Sequence, residues 1–566
     1  PAQPTPHEIE SNRAAAPSAE PIEVAESLPP PWSRTQRAIT ALLCAISLLA
    51  FFADGEHPLD VVDYRITAAQ AQARAEDHLR TQGTDPSTYQ VVVVQKQQPH
   101  RGAIRYSLQR DGIEYINRLY SQDLLASLWA VRFFRYGEKE EYLVAIDPRD
   151  GSVYSLRHVL AEEANGAKLS EEDARIRAAN ALLNHDIDPH SFDLVEASST
   201  ERPQRMDHHF VYQARAGDAR NLDQLFYRIS VDISGDEVTG FYRHLKVPEA
   251  WTRARSEYSY FKKACRGALF TSVFALILHT LWLLVRFVRR DAINWRGAYP
   301  WAAAATVLSG LVYFNGINTL AIQYDTRLSV YIFAIVQALL AAFGLLAILL
   351  IAFAAHGLLT GAFPHWRSYL RAATTKDAFV DALLRALLFS AASLSLSHLM
   401  GLARSAFIAS DANPAYALPV GLDTYIPFLS PLAQALLVPL LASLGLATLV
   451  YYGRHFVGST RNALLLAVAF CAISAGARAH TIDEFTFALC SNLATTAAII
   501  ALCYYFLRTH LTAYLLAIFI TVAIKQAHSL LSLHAALYQM HGIALLLAAV
   551  LCILYLWHRA ACQRLF

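Results

Sequence analysis

The sequence predicts a polytopic α-helical membrane protein of about ten transmembrane helices, with an α+β extramembrane domain made of two repeats. Three observations predict it. Hydrophobic residues make up 55% of the 566 positions, and beyond position 263 they gather in runs near the roughly 20 residues that cross a hydrocarbon core. Charged residues concentrate instead between 54 and 262. That charged segment contains two stretches that align with each other without a gap.

Residues 1–31 are rich in Pro, Ala and Glu and end in Pro29-Pro30-Pro31. They have too few apolar groups to offset the cost of ordering, so they read as a disordered cytoplasmic tail. Trp32, Arg34 and Arg37 then precede an apolar run from Ala38 to Ala53. A long tail lies ahead of this run and no small-x-small cleavage site follows it, so 32–53 reads as a signal-anchor transmembrane helix.

Residues 54–262 carry the repeat. The stretch starting at Ile66 aligns with that starting at Leu169, matching Ala71/Ala174, Arg74/Arg177, Ala75/Ala178, Leu79/Leu182, Asp85/Asp188 and Pro86/Pro189. Thr67 and Ser170 are placed to cap an amphipathic helix in each copy. Asp-Pro then breaks the chain ahead of a strand. Val144–Tyr154 and Ile229–Gly240 each read as strand, tight turn, strand. The segment has no cysteine, so disulfides play no part in it. His208-His209 reads as an exposed loop pair. This helix-then-sheet pattern resembles PepSY-type domains, which implies an extracytoplasmic module.

Residues 263–566 read as a nine-helix membrane domain, with helices near 267–287, 300–320, 330–356, 384–403, 428–451, 462–477, 485–507, 511–533 and 541–558. Arg286, Arg289, Arg290 and Arg296 share one loop, and Arg367, Arg371, Lys376 and Arg385 another. Arg454, Arg461, Arg508, Arg559 and Arg564 continue the alternation. By the excess of basic residues on the cytoplasmic side, both termini are cytoplasmic and 54–262 is extracytoplasmic. Lys262, Lys263 and Arg266 run against that bias. A bacterial inner membrane is the expected location. The net charge of +2 argues against nucleic acid as a partner and leaves the lipid bilayer and a membrane protein or peptide.

The stretch from Arg478 to His541 holds the candidate chemistry: His480, Glu484, Lys525, His528, His534 and His541. Ionisable groups in membrane helices are costly and read as functional by default. This topology puts all of them near the outer boundary, where Glu484 and His528 could share an activated water and His480, His534 or His541 could complete a metal site. Lys525 lies one turn before His528 and could stabilise an oxyanion. Glu484 has a structural reading too: Thr481 at N-cap and Glu484 at N3 form a capping box.

Over about 380–560 the chain resembles the CPBP intramembrane metalloproteases related to CAAX prenyl endopeptidases. Asp483-Glu484-Phe485-Thr486-Phe487-Ala488 stands where that family has Glu-Glu-x-x-x-Arg, and Ile524-Lys525-Gln526-Ala527-His528 where it has Phe-x-x-x-His. The resemblance implies Glu484 as water-activating base, His528 as metal or oxyanion ligand, and zinc as the metal. The departures are Asp483, Ala488 and Ile524, and the absence of Asn four residues after His541 or His558. Three functions stay open: a diverged intramembrane metallopeptidase regulated by its outer domain, a non-catalytic scaffold or accessory subunit binding a partner protein, and a b-type haem membrane protein.

Overall fold

In the computed structural model, residues 33–51, 58–59, 61–256, 260–291, 293, 295–362, 376–407, 421–455, 459–507 and 510–561 are described. The 1–31 tail lies outside these residues, as do Arg367, Arg371, Arg508, Arg564 and the side chain of Arg454.

Helix α1 (Arg34–Phe51) leads into the repeats. In the first copy Thr67 caps α2 (Ala68–Thr81) in a reciprocal capping box with Gln70. Asp85 then accepts the Ser87 N–H to start a 3-10 turn at Pro86–Thr88, and β1 (Gln90–Gln97) follows. Two helices, α3 (Arg101–Arg110) and α4 (Gly112–Gln122), are inserted before β2 (Ser127–Phe134), β3 (Glu141–Ile146) and β4 (Val153–Val159). The second copy repeats the order without the insertion. Ser170 caps α5 (Glu171–Asn184), Asp188 starts the 3-10 turn Pro189–Ser191, and β5 (Phe192–Glu201), β6 (Met206–Ala214), β7 (Phe226–Ser234) and β8 (Glu237–Lys246) complete it. All eight strands join one antiparallel sheet ordered β1-β2-β3-β4-β8-β7-β6-β5, so the copies meet at β4 and β8. That seam is short, with Arg157 registered on Gly240.

The expected loop at His208-His209 is corrected here: both residues are on β6. Successive strand residues point to opposite faces. His208 is buried and bonds Ser199 and the Leu169 carbonyl, whereas His209 meets Asp232. The pair cannot grip one ion.

A short helix, α6 (Glu249–Ser256), precedes the bundle: α7 (Tyr260–Arg289), α8 (Trp295–Asn315), α9 (Val330–Ala362), α10 (Lys376–Phe407), α11 (Leu429–His455), α12 (Thr460–Arg478), α13 (Ile482–Leu502), α14 (Leu511–Leu531) and α15 (Ala536–Ala561). Every expected helix is present. Among the described residues, eight helices are long and apolar enough to cross a membrane, nine if a bent pair counts as one span. The shortfall from ten has local causes. Helix α8 bends by 60° into a 3-10 segment, Ile317–Gln323, and α11, which carries Pro439 inside it, offers a shorter apolar stretch. Large apolar side chains such as Phe343, Leu464, Leu466, Leu547 and Leu551 point outward, as a lipid-facing surface requires. This is the architecture of a polytopic membrane protein with a sheet domain.

The sheet domain sits on one end of the bundle, where the connections after α8, α12 and α14 and the residues 421–428 that lead into α11 also lie. Arg132 of β2 donates through Nη1 to the carbonyls of Ala321, Ile322 and Tyr324. Asp423 accepts the Gln95 N–H at 3.1 Å, and the Tyr64 carbonyl accepts the Ala535 N–H at 2.9 Å. Trp129, Tyr64 and Val131 share a core with Leu422, Leu530 and Tyr538. Asn315, at the end of α8, ties this end together through Thr424, Ile426 and Ser430. Helices therefore alternate in direction along the bundle.

Candidate functional site

Glu484 sits in the first turn of α13 with 2% of its surface exposed. Thr481 is the N-cap, and its hydroxyl accepts the Glu484 N–H. The reciprocal half of the box differs from expectation: the Glu484 carboxylate reaches past the N-cap to the His480 N–H, at 2.7 Å. Its other oxygen lies 3.3 Å from Nη2 of Arg255, on α6. Nearby, Lys262 donates to the Arg478 carbonyl at 2.9 Å and Arg266 to the Ala477 carbonyl at 3.0 Å. These two cations satisfy the carbonyls at the end of α12, where the helix dipole favours positive charge. Glu484, Arg255, Lys262 and Arg266 together form a polar joint between the sheet domain and the α12–α13 turn.

The remaining candidates lie at the same end of the bundle but in different surroundings. His528, near the end of α14, has the Phe51 ring against it, 5.1 Å between centroids. The same Phe51 ring lies 5.9 Å from His398 of α10. Lys525 is exposed. His534 lies in the α14–α15 turn, its Nδ1 3.0 Å from Asp63. Burial would raise the Asp63 pKa, but hydrogen bonds from Arg65 and His534 outweigh it and hold the carboxyl below its usual value. His541 stacks on Phe428 at 5.7 Å. Helix α13 packs on α12 and α10, and α14 on α10, α11 and α15, so Glu484 and His528 sit on separate helices that both pack on α10. Among the described residues no three His, Cys, Asp or Glu side chains are grouped to hold a metal ion.

No family model, curated protein or solved structure matches the chain.

A second polar concentration lies on the sheet itself. A groove of about 270 Å³ crosses the second repeat, lined by residues including Arg157, Thr200, Asp207, His209, Asp232 and Tyr242. His209 Nδ1 is 2.5 Å from Asp232, and Tyr242 bonds the same carboxylate. Gly240 leaves room for this pair: a Cβ at 240 would stand 2.6 Å from Asp232 Oδ2 and 2.7 Å from the Tyr242 hydroxyl and would push them aside. Sequence reasoning reached this face only through His209, read as half of a loop pair, and passed over Arg132 and Arg255. The alternation in β6 is a local signal for His209. Arg255 carries a weaker one: it belongs to a basic stretch that runs against the charge bias of the helix ends.

Proposed function

We propose that the protein is a non-catalytic integral membrane scaffold or accessory subunit. Its bundle carries the sheet domain on the extracytoplasmic side, and the second repeat offers its polar face to a partner protein or peptide. The engagement of Glu484 carries this reading. A carboxylate acting as base needs a water and a metal or oxyanion partner beside it. Glu484 instead caps a helix and binds Arg255, in a joint that couples the outer domain to α12 and α13. The dispersal of His528, His534 and His541 onto Phe51, Asp63 and Phe428 supports the same conclusion over a zinc peptidase.

The discriminating variant is Glu484→Gln in the full chain, reconstituted in lipid. Glutamine keeps an oxygen for the His480 N–H and loses the charge that Arg255 meets. A stability loss of about 1–3 kcal/mol is expected, with peptide-library cleavage at background for wild type and variant alike. Cleavage by the wild type that disappears in Glu484→Gln would overturn the non-catalytic reading and restore the peptidase.

A further inference from the structure

Inside the bundle, α10, α12 and α13 enclose a groove of about 390 Å³, which no function considered above uses. Its lining includes Ser397 and Arg404 of α10, Ser474 of α12, and Ser491, Asn492 and Thr495 of α13. At 1.5 Å per residue, Ser491 and Thr495 lie about 13 and 20 Å along α13 from its start at the sheet-domain end. The groove therefore reaches deep into the apolar slab from that end. Polar groups at such depth are costly unless something pairs with them.

Among the described residues the lining is rich in donors and contains no acidic side chain. Ser491 donates to Met400 Sδ at 3.5 Å, a weak acceptor. Asn492 donates to the Cys471 carbonyl at 3.2 Å. Arg404 Nε is shielded from solvent and has no hydrogen-bond partner among the described residues. A guanidinium and several hydroxyls without an opposing carboxylate complement an oxyanion. The rim is apolar: Phe470 lines the groove, and Leu466, one turn away on the same face of α12, is 62% exposed. A ligand with a charged head and an apolar tail fits both parts.

We propose that this groove binds the anionic phosphate headgroup of a membrane amphiphile from the leaflet on the sheet-domain side. Arg404 meets the phosphate, Ser474 and Ser491 donate to it, and the acyl chains lie along Phe470 and Leu466.

Native mass spectrometry of the full chain after exchange into phosphatidylglycerol or phosphatidylcholine tests this. One phosphatidylglycerol should be retained, with about tenfold preference over phosphatidylcholine. Arg404→Gln should erase that preference and Arg404→Lys should keep part of it. Displacement of phosphatidylglycerol by inorganic phosphate from the wild type, but not of the residual lipid on Arg404→Gln, would support phosphate as the recognised group. Inorganic phosphate bound without any lipid preference would overturn the amphiphile assignment and point to a free anion. Equal retention of the two lipids, or an unchanged preference in Arg404→Gln, would overturn the site. If Arg404→Gln does not fold, the double variant Ser474→Ala/Ser491→Ala takes its place, and an unchanged preference there counts against the site in the same way.

Discussion

The two repeats present the same sheet face to different surroundings. Equivalent positions follow from the strand pairing: Ala130 pairs with Ala145 where His209 pairs with Asp232, and Arg132 pairs with Leu143 where Val211 pairs with Ser230. In the first copy that face, with Val92, Val94 and Phe134, is covered by Tyr324 and the Ile317–Gln323 segment. In the second copy it is the open groove with His209 and Asp232. Two segments with the same order of elements thus differ in one face: in the first it is apolar around the Arg132–Glu141 pair and docks on the bundle, and in the second it is polar and stays open. Exchanging apolar for hydrogen-bonding side chains is enough to separate the two roles, because a face rich in His, Asp and Ser gains little by leaving water.

Arg132→Ala strikes at the docked copy and should have the largest effect. Arg132 is 6% exposed, is paired with Glu141 and donates to three loop carbonyls. Its removal leaves a shielded carboxylate and bare carbonyls, which costs about 3–5 kcal/mol. Thermal unfolding should show the loss, and hydrogen exchange at 317–324 should accelerate. The matched change in the second copy, Val211→Ala, should cost about 1–3 kcal/mol and leave exchange at 317–324 as it was. Equal acceleration from both would break the comparison.

A smaller structural effect is expected on the open face. His209 and Asp232 are each more than a third exposed, so His209→Ala or Asp232→Asn should change stability by only about 0–1 kcal/mol. Binding is where they should matter. A photo-crosslinker at Thr200 in native membranes should give a discrete adduct that either substitution removes. Adducts of equal yield in wild type and variants would dissociate this face from partner binding.

Helix positions and the repeat were legible because their signals are local. Twenty apolar residues mark a span wherever they occur, and Thr67, Ser170, Asp85 and Asp188 act on backbone groups two or three residues away. Depth was legible as well: Glu484, His528, His534 and His541 all lie at one end of the bundle, the end that carries the sheet domain. Azimuth was not. A helix position fixes how deep a side chain lies but leaves open which neighbour it faces, and Glu484 turns to an arginine 229 residues away while His528 turns to Phe51. The α3–α4 insertion was missed because its polar and apolar residues form no long run.

The subtlest effect is expected where the repeats join. His158 of β4 has a side chain only 5% exposed; its Nδ1 lies 2.7 Å from Glu237 of β8, its Nε2 3.1 Å from Glu140, and its ring stacks on Tyr142. One imidazolium thus bridges a carboxylate from each copy beside a seam of a single registered pair. Burial opposes the charge, but Glu237 and Glu140 outweigh it and raise the His158 pKa above its usual value. A base whose pKa is raised on folding binds its proton more tightly in the folded state. Its contribution is complete below the unfolded value of about 6.5 and is lost as pH climbs through the folded value. His244 acts in the opposite sense. Burial, helped by His100, Arg228, His209 and Lys246, lowers it to about 4, so its contribution is lost as pH falls from about 6.5 towards that value. His158→Gln removes the first dependence and keeps the second. Melting temperatures followed from about pH 6 to pH 9 should fall for the wild type relative to His158→Gln, with the gap widest at the acid end of that range. Parallel curves would mean that the seam is held by its strands alone and that the charge between the copies contributes nothing.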